Sequence, residues 1–278
     1  MKITVVIDNN VPFNQRRPLV AEHGVSFLID TGVQRILYDT GQTGAVVGNL
    51  TTLGIPPSTL DGIVLSHGHY DHTGGLLAVL RAARQDIPVT IHARAFANHY
   101  SVTPALRIPV GIPFAEDFIR ATGGIWQLTE APTEVAPGLW FSGTIPRVTD
   151  FEVGDTRLTV TTAAGDKLDP MDDDSVLYLT GSRGLVVVGG CTHSGLVNAV
   201  RHGFTVTGAD RLQGWIGGTH LGPVARSQQD RTIAQLIEWN PDFIAANHCT
   251  GFAVMAQLQQ TFGKRFIPAF VGETIVVD

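Results

Sequence analysis

Apolar residues recur along this chain in short runs with the twofold alternation, or continuous burial, expected of strands. The runs fall at 2–7, 25–30, 34–38, 62–65, 88–92, 139–142, 157–162, 175–179, 184–188, 213–217, 242–245 and 274–277. Elsewhere the spacing becomes helical. Gly74 to Arg84 places Leu76, Leu77, Leu80 and Ala83 on one face, and Gly195 to His202 is a second candidate. Ser227 to Trp239 is a third, with Ile233, Leu236 and Ile237 as its stripe. The early chain is nearly all strand, and helices are interleaved later. That order predicts an α/β (α+β) protein in which two sheets pack face to face with helices outside. One domain over 1–278 accounts for the pattern, with an insertion at about 98–124 rich in Pro, Gly and aromatic residues. Long loops of this kind often shape a pocket, and Tyr100, Arg107, Phe114 and Phe118 are its expected wall.

Composition narrows the function. Thirty-one glycines and 15 prolines imply many tight turns between short strands. The net charge is −6, and the pairs Arg16-Arg17 and Lys264-Arg265 stand alone, so no concentrated cationic face is available for nucleic acid. No apolar run approaches the ~20 residues of a membrane span, and the opening residues alternate like a strand rather than forming a signal peptide's apolar core. Two cysteines, Cys191 and Cys249, are too few for a disulfide scaffold and read as reduced thiols in a cytoplasmic protein. The partner expected is a small-molecule substrate; nothing in the pattern sets an oligomeric state.

Chemistry concentrates in Asp61-Gly-Ile-Val-Leu-Ser-His67-Gly-His69-Tyr-Asp71-His72-Thr-Gly-Gly75. A short buried strand runs into a turn carrying three histidines and an aspartate, and a helix follows. Alternation lets His67 and His69 point the same way, while Asp71 and His72 turn toward a neighbouring position. Nitrogen and carboxylate donors this close suit zinc, with manganese or iron as alternatives. Three further histidines each follow a short apolar strand: His193 in Gly190-Cys-Thr-His-Ser-Gly195, His220 in Gly217-Gly-Thr-His220-Leu, and His248 in Asn247-His248-Cys249. Three strand ends delivering histidine to one sheet rim make these candidate ligands. His23, just before a strand, is either a pocket residue or a hydrogen-bonded core histidine. His92, His99 and His202 read as ordinary strand, loop and helix-surface positions, and Asp172-Asp173-Asp174 as a solvated turn, the alternative being a carboxylate cluster that supplies the metal with an oxygen ligand.

The pattern His67-Gly-His69-Tyr-Asp71-His72 resembles the His-x-His-x-Asp-His signature of the metallo-β-lactamase superfamily. Asp8-Asn9, Pro18-Leu-Val-Ala-Glu-His23-Gly-Val-Ser26, Asp39-Thr-Gly41, Gly190-Cys-Thr-His193-Ser-Gly195, Gly217-Gly-Thr-His220-Leu and His248-Cys-Thr-Gly251 extend the likeness over nearly the whole chain. They resemble a branch of metal-dependent hydrolases that includes dihydropterin ribofuranosylaminobenzene 5′-phosphate synthases. The resemblance implies a four-layer αββα sandwich with two divalent cations at one rim. His67, His69 and His193 would hold the first; Asp71, His72 and His248 would hold the second. Cys191 departs from the pattern, standing where many members place a bridging aspartate; it would either ligate a soft metal as thiolate, as in some β-lactamases, or merely pack.

What the resemblance implies chemically is metal-activated water attacking an ester, lactone or phosphoester, with a phosphorylated or otherwise anionic substrate in view. Asp71 would act both as ligand and as proton acceptor. His220 and His23 would protonate the leaving group or bind an anion. One rival is group transfer between a phosphoribosyl substrate and a pterin or aromatic acceptor. Another is a di-iron redox site, although such sites usually carry glutamate where this chain has His69.

Overall fold

The computed structural model describes residues 1–277. The first part of the chain forms β1 (Lys2–Ile7), β2 (Ser26–Asp30), β3 (Arg35–Tyr38), α1 (Ala45–Thr52), β4 (Gly62–Val64), α2 (Tyr70–Thr73), α3 (Leu76–Ala82) and β5 (Ile87–His92). The middle adds β6 (His99–Val102), β7 (Arg107–Pro109), α4 (Asp117–Ala121), β8 (Gly124–Thr129), β9 (Thr133–Ala136), β10 (Leu139–Phe141), β11 (Leu158–Thr162) and β12 (Gly165–Leu168). The remainder is β13 (Val176–Gly181), β14 (Gly184–Gly189), α5 (Leu196–Thr207), β15 (Leu212–Gly218), α6 (Arg226–Trp239), β16 (Phe243–Asn247), α7 (Phe252–Phe262), β17 (Phe266–Pro268) and β18 (Thr274–Val276).

Two seven-stranded mixed sheets carry the fold, ordered β18-β1-β2-β3-β4-β5-β8 and β17-β16-β15-β14-β13-β10-β9. Their inner faces interdigitate through Val5, Phe27, Ile29, Tyr38, Val186, Val188 and Ile216. Alternate residues of the same strands face outward: Val6 and Leu37 pack under α1 and α3, and Leu185 and Val187 under α5. Burial on both faces explains why strands such as β14 read as continuous apolar runs. The expected αββα sandwich is therefore the fold. Among the described residues no helix is long and apolar enough to cross a membrane.

Two details differ from the sequence reading. The 98–124 segment is not a loose loop: β6 and β7 join β11 and β12 in a third, four-stranded antiparallel sheet. Ile237, assigned to the apolar stripe of α6, is 54% exposed, because the helix buries Thr232, Ile233 and Leu236 instead.

Topology decides where chemistry can be placed. Strands β3, β4, β5 and β8 run parallel, as do β14, β15, β16 and β17, so their carboxyl ends lie along one rim of each sheet. Loops leaving such ends are free to carry function while the strands fix their position. Four non-glycine residues with positive φ sit just beyond these ends: Asp39, Thr192, His220 and His248, at 58°, 67°, 49° and 50°. Backbone strain of this kind costs about 1–3 kcal/mol each and persists where surroundings enforce it.

Candidate metal centre

The first rim supplies its donors from one turn. Beyond β4 the chain passes through Ser66 and His67-Gly68-His69 into α2, and His67, His69, Asp71 and His72 are all buried. The Ser66 hydroxyl accepts from Nδ1 of His67 at 2.8 Å and donates to Oδ2 of Asp39 at 2.8 Å. Nδ1 of His72 donates to the same Asp39 oxygen at 2.7 Å, and the Ser66 N–H to its other oxygen at 2.7 Å. Both imidazoles thereby turn Nε2 away from this network, toward the rim.

Three rings meet there. Those of His67 and His69 lie 4.5 Å apart between centroids, and His193, from the turn after β14, lies 4.9 Å from each. One nitrogen of each falls within 4.8 Å of the others. Nε2 of His67, Nε2 of His69 and both nitrogens of His193 are buried with no hydrogen-bond partner. Burial drives His67 and His193 well below the usual histidine range and His69 down to about 3, so all three rings are neutral at pH 7. Convergent bare lone pairs in a desolvated interior are costly, and a divalent cation satisfies them. The donor set fits the metal that the sequence implied.

A second group adjoins the first. Oδ2 of Asp71 lies 3.6 Å from Nε2 of His72 and 3.4 Å from Nε2 of His248. Burial opposes charge on Asp71, yet His72 and His248 outweigh it and hold the carboxyl well below its usual range. Nδ1 of His248 faces Oδ1 of Asn9 at 2.9 Å, and its backbone N–H donates to Asp8 at 2.9 Å. Cys191 Sγ stands 3.2 Å from Nε2 of His72 and 3.4 Å from Nε2 of His248, and also groups with His67 and with His193. The cysteine is thus positioned between the two donor sets. Gly190 beside it has no alternative, since a Cβ there would come within 2.3 Å of Ser66 Oγ and 2.6 Å of Asp39 Oδ2.

The remaining sequence candidates occupy distinct places. His23 has a half-exposed side chain at the mouth, with Nε2 3.3 Å from Asp71 Oδ2, and burial pulls its pKa down despite that carboxylate. His220 lies in neither expected triad: its ring is 4.0 Å from His193, and its Nε2 is 3.6 Å from Asp155 Oδ2. Burial opposes charge on His220, but Asp155 and Cys249 lift its pKa to about 9.

Other expectations are corrected. Only Asp172 of the acidic trio is solvated, pairing with Arg94 at 2.9 Å. Asp173 and Asp174 are each 1% exposed. They accept from the Gly68 N–H and from the Ser194 N–H and hydroxyl, bracing the two ligand turns. His99 is not an unpartnered loop residue either: it is buried, its Nδ1 bonds Asp169 at 2.5 Å, and its ring lies 5.5 Å from that of His69. His92 bonds Thr144 and His202 bonds the Ser142 carbonyl, the structural roles expected of them.

A cavity of about 540 Å³ opens beside the centre, lined by Tyr70, Phe96, His99, Tyr100, Ile112 and Phe114 among others. Two residues assigned to its wall are elsewhere. Phe118 is 55% exposed on α4, and Arg107 stacks on the Tyr100 ring at 3.3 Å while pairing with Asp166.

The model of the Metallo-beta-lactamase superfamily matches residues 19–203. A 7,8-dihydropterin-6-methyl-4-(beta-D-ribofuranosyl)-aminobenzene-5'-phosphate synthase of Methanocaldococcus jannaschii is 30% identical over 99% of this chain and 96% of its own. An uncharacterized protein of the same organism is 28% identical over 98% of this chain and 99% of its own. Among solved structures, Tm1679, a metal-dependent hydrolase of the beta-lactamase superfamily, superposes with a TM-score of 0.83 at 23% identity, covering 100% of this chain and 99% of its own. Zn(2+)-bound PqqB from Methylobacterium extorquens follows at 0.59 and 14%, each chain covered in full. At these identities the two structures speak for the fold alone.

Proposed function

The chain belongs to the metallo-beta-lactamase superfamily, and from that premise we propose that it is a two-cation hydrolase acting on an ester, lactone or phosphoester. His67, His69 and His193 hold the first ion and Asp71, His72 and His248 the second, with zinc the first choice for both and manganese or iron compatible. One observation carries the reading: neutral, buried imidazoles present unpartnered nitrogens to a shared centre, with an ionised carboxylate beside it.

When bound, the cations supply Lewis acidity, which brings the pKa of water from 15.7 to about 7. The protein's own groups then divide the work. Asp71 orients the nucleophile and accepts hydrogen bonds from it. His23, neutral and 3.3 Å from Asp71, relays a proton toward the mouth. His220, drawn to the protonated form by Asp155, offers positive charge to an anionic group. Ring-shaped parts of a small-molecule substrate fit the aromatic cavity next to Tyr70 and His99. A cytoplasmic setting would keep both thiols reduced.

A second reading is group transfer, in which a phosphoribosyl substrate condenses with a pterin or aromatic acceptor. Its support is the synthase relative, aligned over 99% of this chain, together with the aromatic cavity. Product analysis with a phosphoribosyl donor and an aromatic amine, set against a panel of phosphodiesters, lactones and thioesters, separates the two. In either case elemental analysis should find about two divalent ions per chain. His69→Ala should lower kcat/KM roughly a thousandfold, the loss of about 4 kcal/mol of transition-state stabilisation, with circular dichroism unchanged. Full turnover by that variant in metal-depleted buffer would end the proposal.

A further inference from the structure

Both cysteines of the chain reach the same rim, Cys191 beyond β14 and Cys249 beyond β16, and both are free thiols. Their sulfurs and one nitrogen of His248 all lie within 4.8 Å of one another. His248 Nε2 is meanwhile 3.4 Å from Cys191 Sγ and 3.4 Å from Asp71 Oδ2. The same imidazole nitrogen therefore has a carboxylate oxygen and a thiol sulfur each at 3.4 Å, with the second thiol in the same group.

The surroundings of the sulfurs are not those of packing residues. A buried free cysteine usually behaves as a small hydrophobe among apolar side chains. Here Cys191 Sγ contacts ring nitrogens of His72 and His248, and Cys249 Sγ accepts the backbone N–H of His220 at 3.3 Å. The strand next door leaves room for it: a Cβ on Gly218 would stand 2.8 Å from Cys249 Sγ. The ring of the residue that presents this N–H, His220, lies 3.6 Å from Asp155 Oδ2.

We propose that Cys191, Cys249 and His248 form a sulfur-bearing cation seat that competes with the Asp71, His72 and His248 seat for the second ion. The proposal rests on the two-cation reading and deepens it by making the ion's softness choose its position. A hard ion such as Mn²⁺ prefers carboxylate and imidazole; a thiophilic ion such as Cd²⁺ prefers thiolate. Because His248 is shared, filling one seat empties the other.

The test titrates Mn²⁺ and Cd²⁺, each alone, into the full-length metal-free protein under reducing conditions. Wild type, Cys249→Ser and Asp71→Asn are compared, with ultraviolet sulfur-to-cadmium charge-transfer absorption and dissociation constants as readouts. Wild type should develop strong charge-transfer absorption with Cd²⁺. Changes to groups outside the ligand shell already cost about 10–100-fold in metal affinity, so losing a ligand in Cys249→Ser should weaken Cd²⁺ at least about tenfold and reduce the absorption, with Mn²⁺ binding unaltered. Asp71→Asn should weaken Mn²⁺ more than Cd²⁺. An unchanged cadmium spectrum and affinity in Cys249→Ser overturns the sulfur seat while leaving the two-cation reading intact. Equal weakening of both ions in that variant also overturns it, since that marks general damage. A wild-type protein that binds neither ion overturns both.

Discussion

The two sheet rims build the same centre by opposite means. On the first, four donors come from the six residues His67 to His72, positioned by one strand end and one helical turn. On the second, His193, His220 and His248 come from the ends of three parallel strands, paired so that Gly189 faces Gly217 and Gly217 faces Ala246. The local turn needs little besides its own sequence. The dispersed set depends on strand register and on strained residues, Thr192, His220 and His248, to take up the different distances beyond each strand. Their backing differs as well. His72 leans on the buried carboxylate of Asp39, while His248 leans on the neutral amide of Asn9.

That contrast can be broken by experiment. The largest effect should follow Asp39→Ala, which leaves His72 and Ser66 without their acceptor in a fully buried site; removing one partner of a buried pair costs about 3–5 kcal/mol. Denaturant unfolding of the metal-free variant measures it. Asp155→Asn should act next, through pH. His220 has a folded pKa of about 9, above the ordinary histidine value of 6.5. Its pairing with Asp155 therefore stabilises fully below pH 6.5 and is lost as pH rises through 9. Over that window the metal-free wild type should lose on the order of 2 kcal/mol more stability than the variant, allowing for partial solvent screening. A parallel decline in both proteins would remove any role for the pair. Asn9→Ala should be the mildest, about 1–1.5 kcal/mol, because only part-buried neutral hydrogen bonds, to His248 Nδ1 and from the Gly24 N–H, are chiefly at stake. Equal costs for Asn9→Ala and Asp39→Ala would erase the distinction between the rims.

The same contrast explains what could be read in advance. The contiguous cluster His67 to His72 announced itself by spacing, and strands buried on one or both faces by their apolar runs. Elements without that signature were missed. β7 and β12 are exposed on both faces and show no alternation, and α1 and α7 were not anticipated. His99 was passed over because its partner, Asp169, lies 70 residues away. Asp173 and Asp174 look like solvent-facing acids beside Asp172, and nothing in three consecutive aspartates tells which of them meets a backbone N–H in the interior. Asn9 and Asp39 belong to recognisable motifs, but their support of His248 and His72 exists only once the chain has folded.

Strand β1 lies between β2 and β18, and the amino group of Met1 bonds the carbonyl of Val277. Without residues 274–276 the edge of the first sheet is the six-residue β1; once they pair with it, the edge is the three-residue β18. Exposed margins recruit other chains. A truncation before residue 274 would leave the longer edge of β1 open to such partners even with every ligand histidine intact.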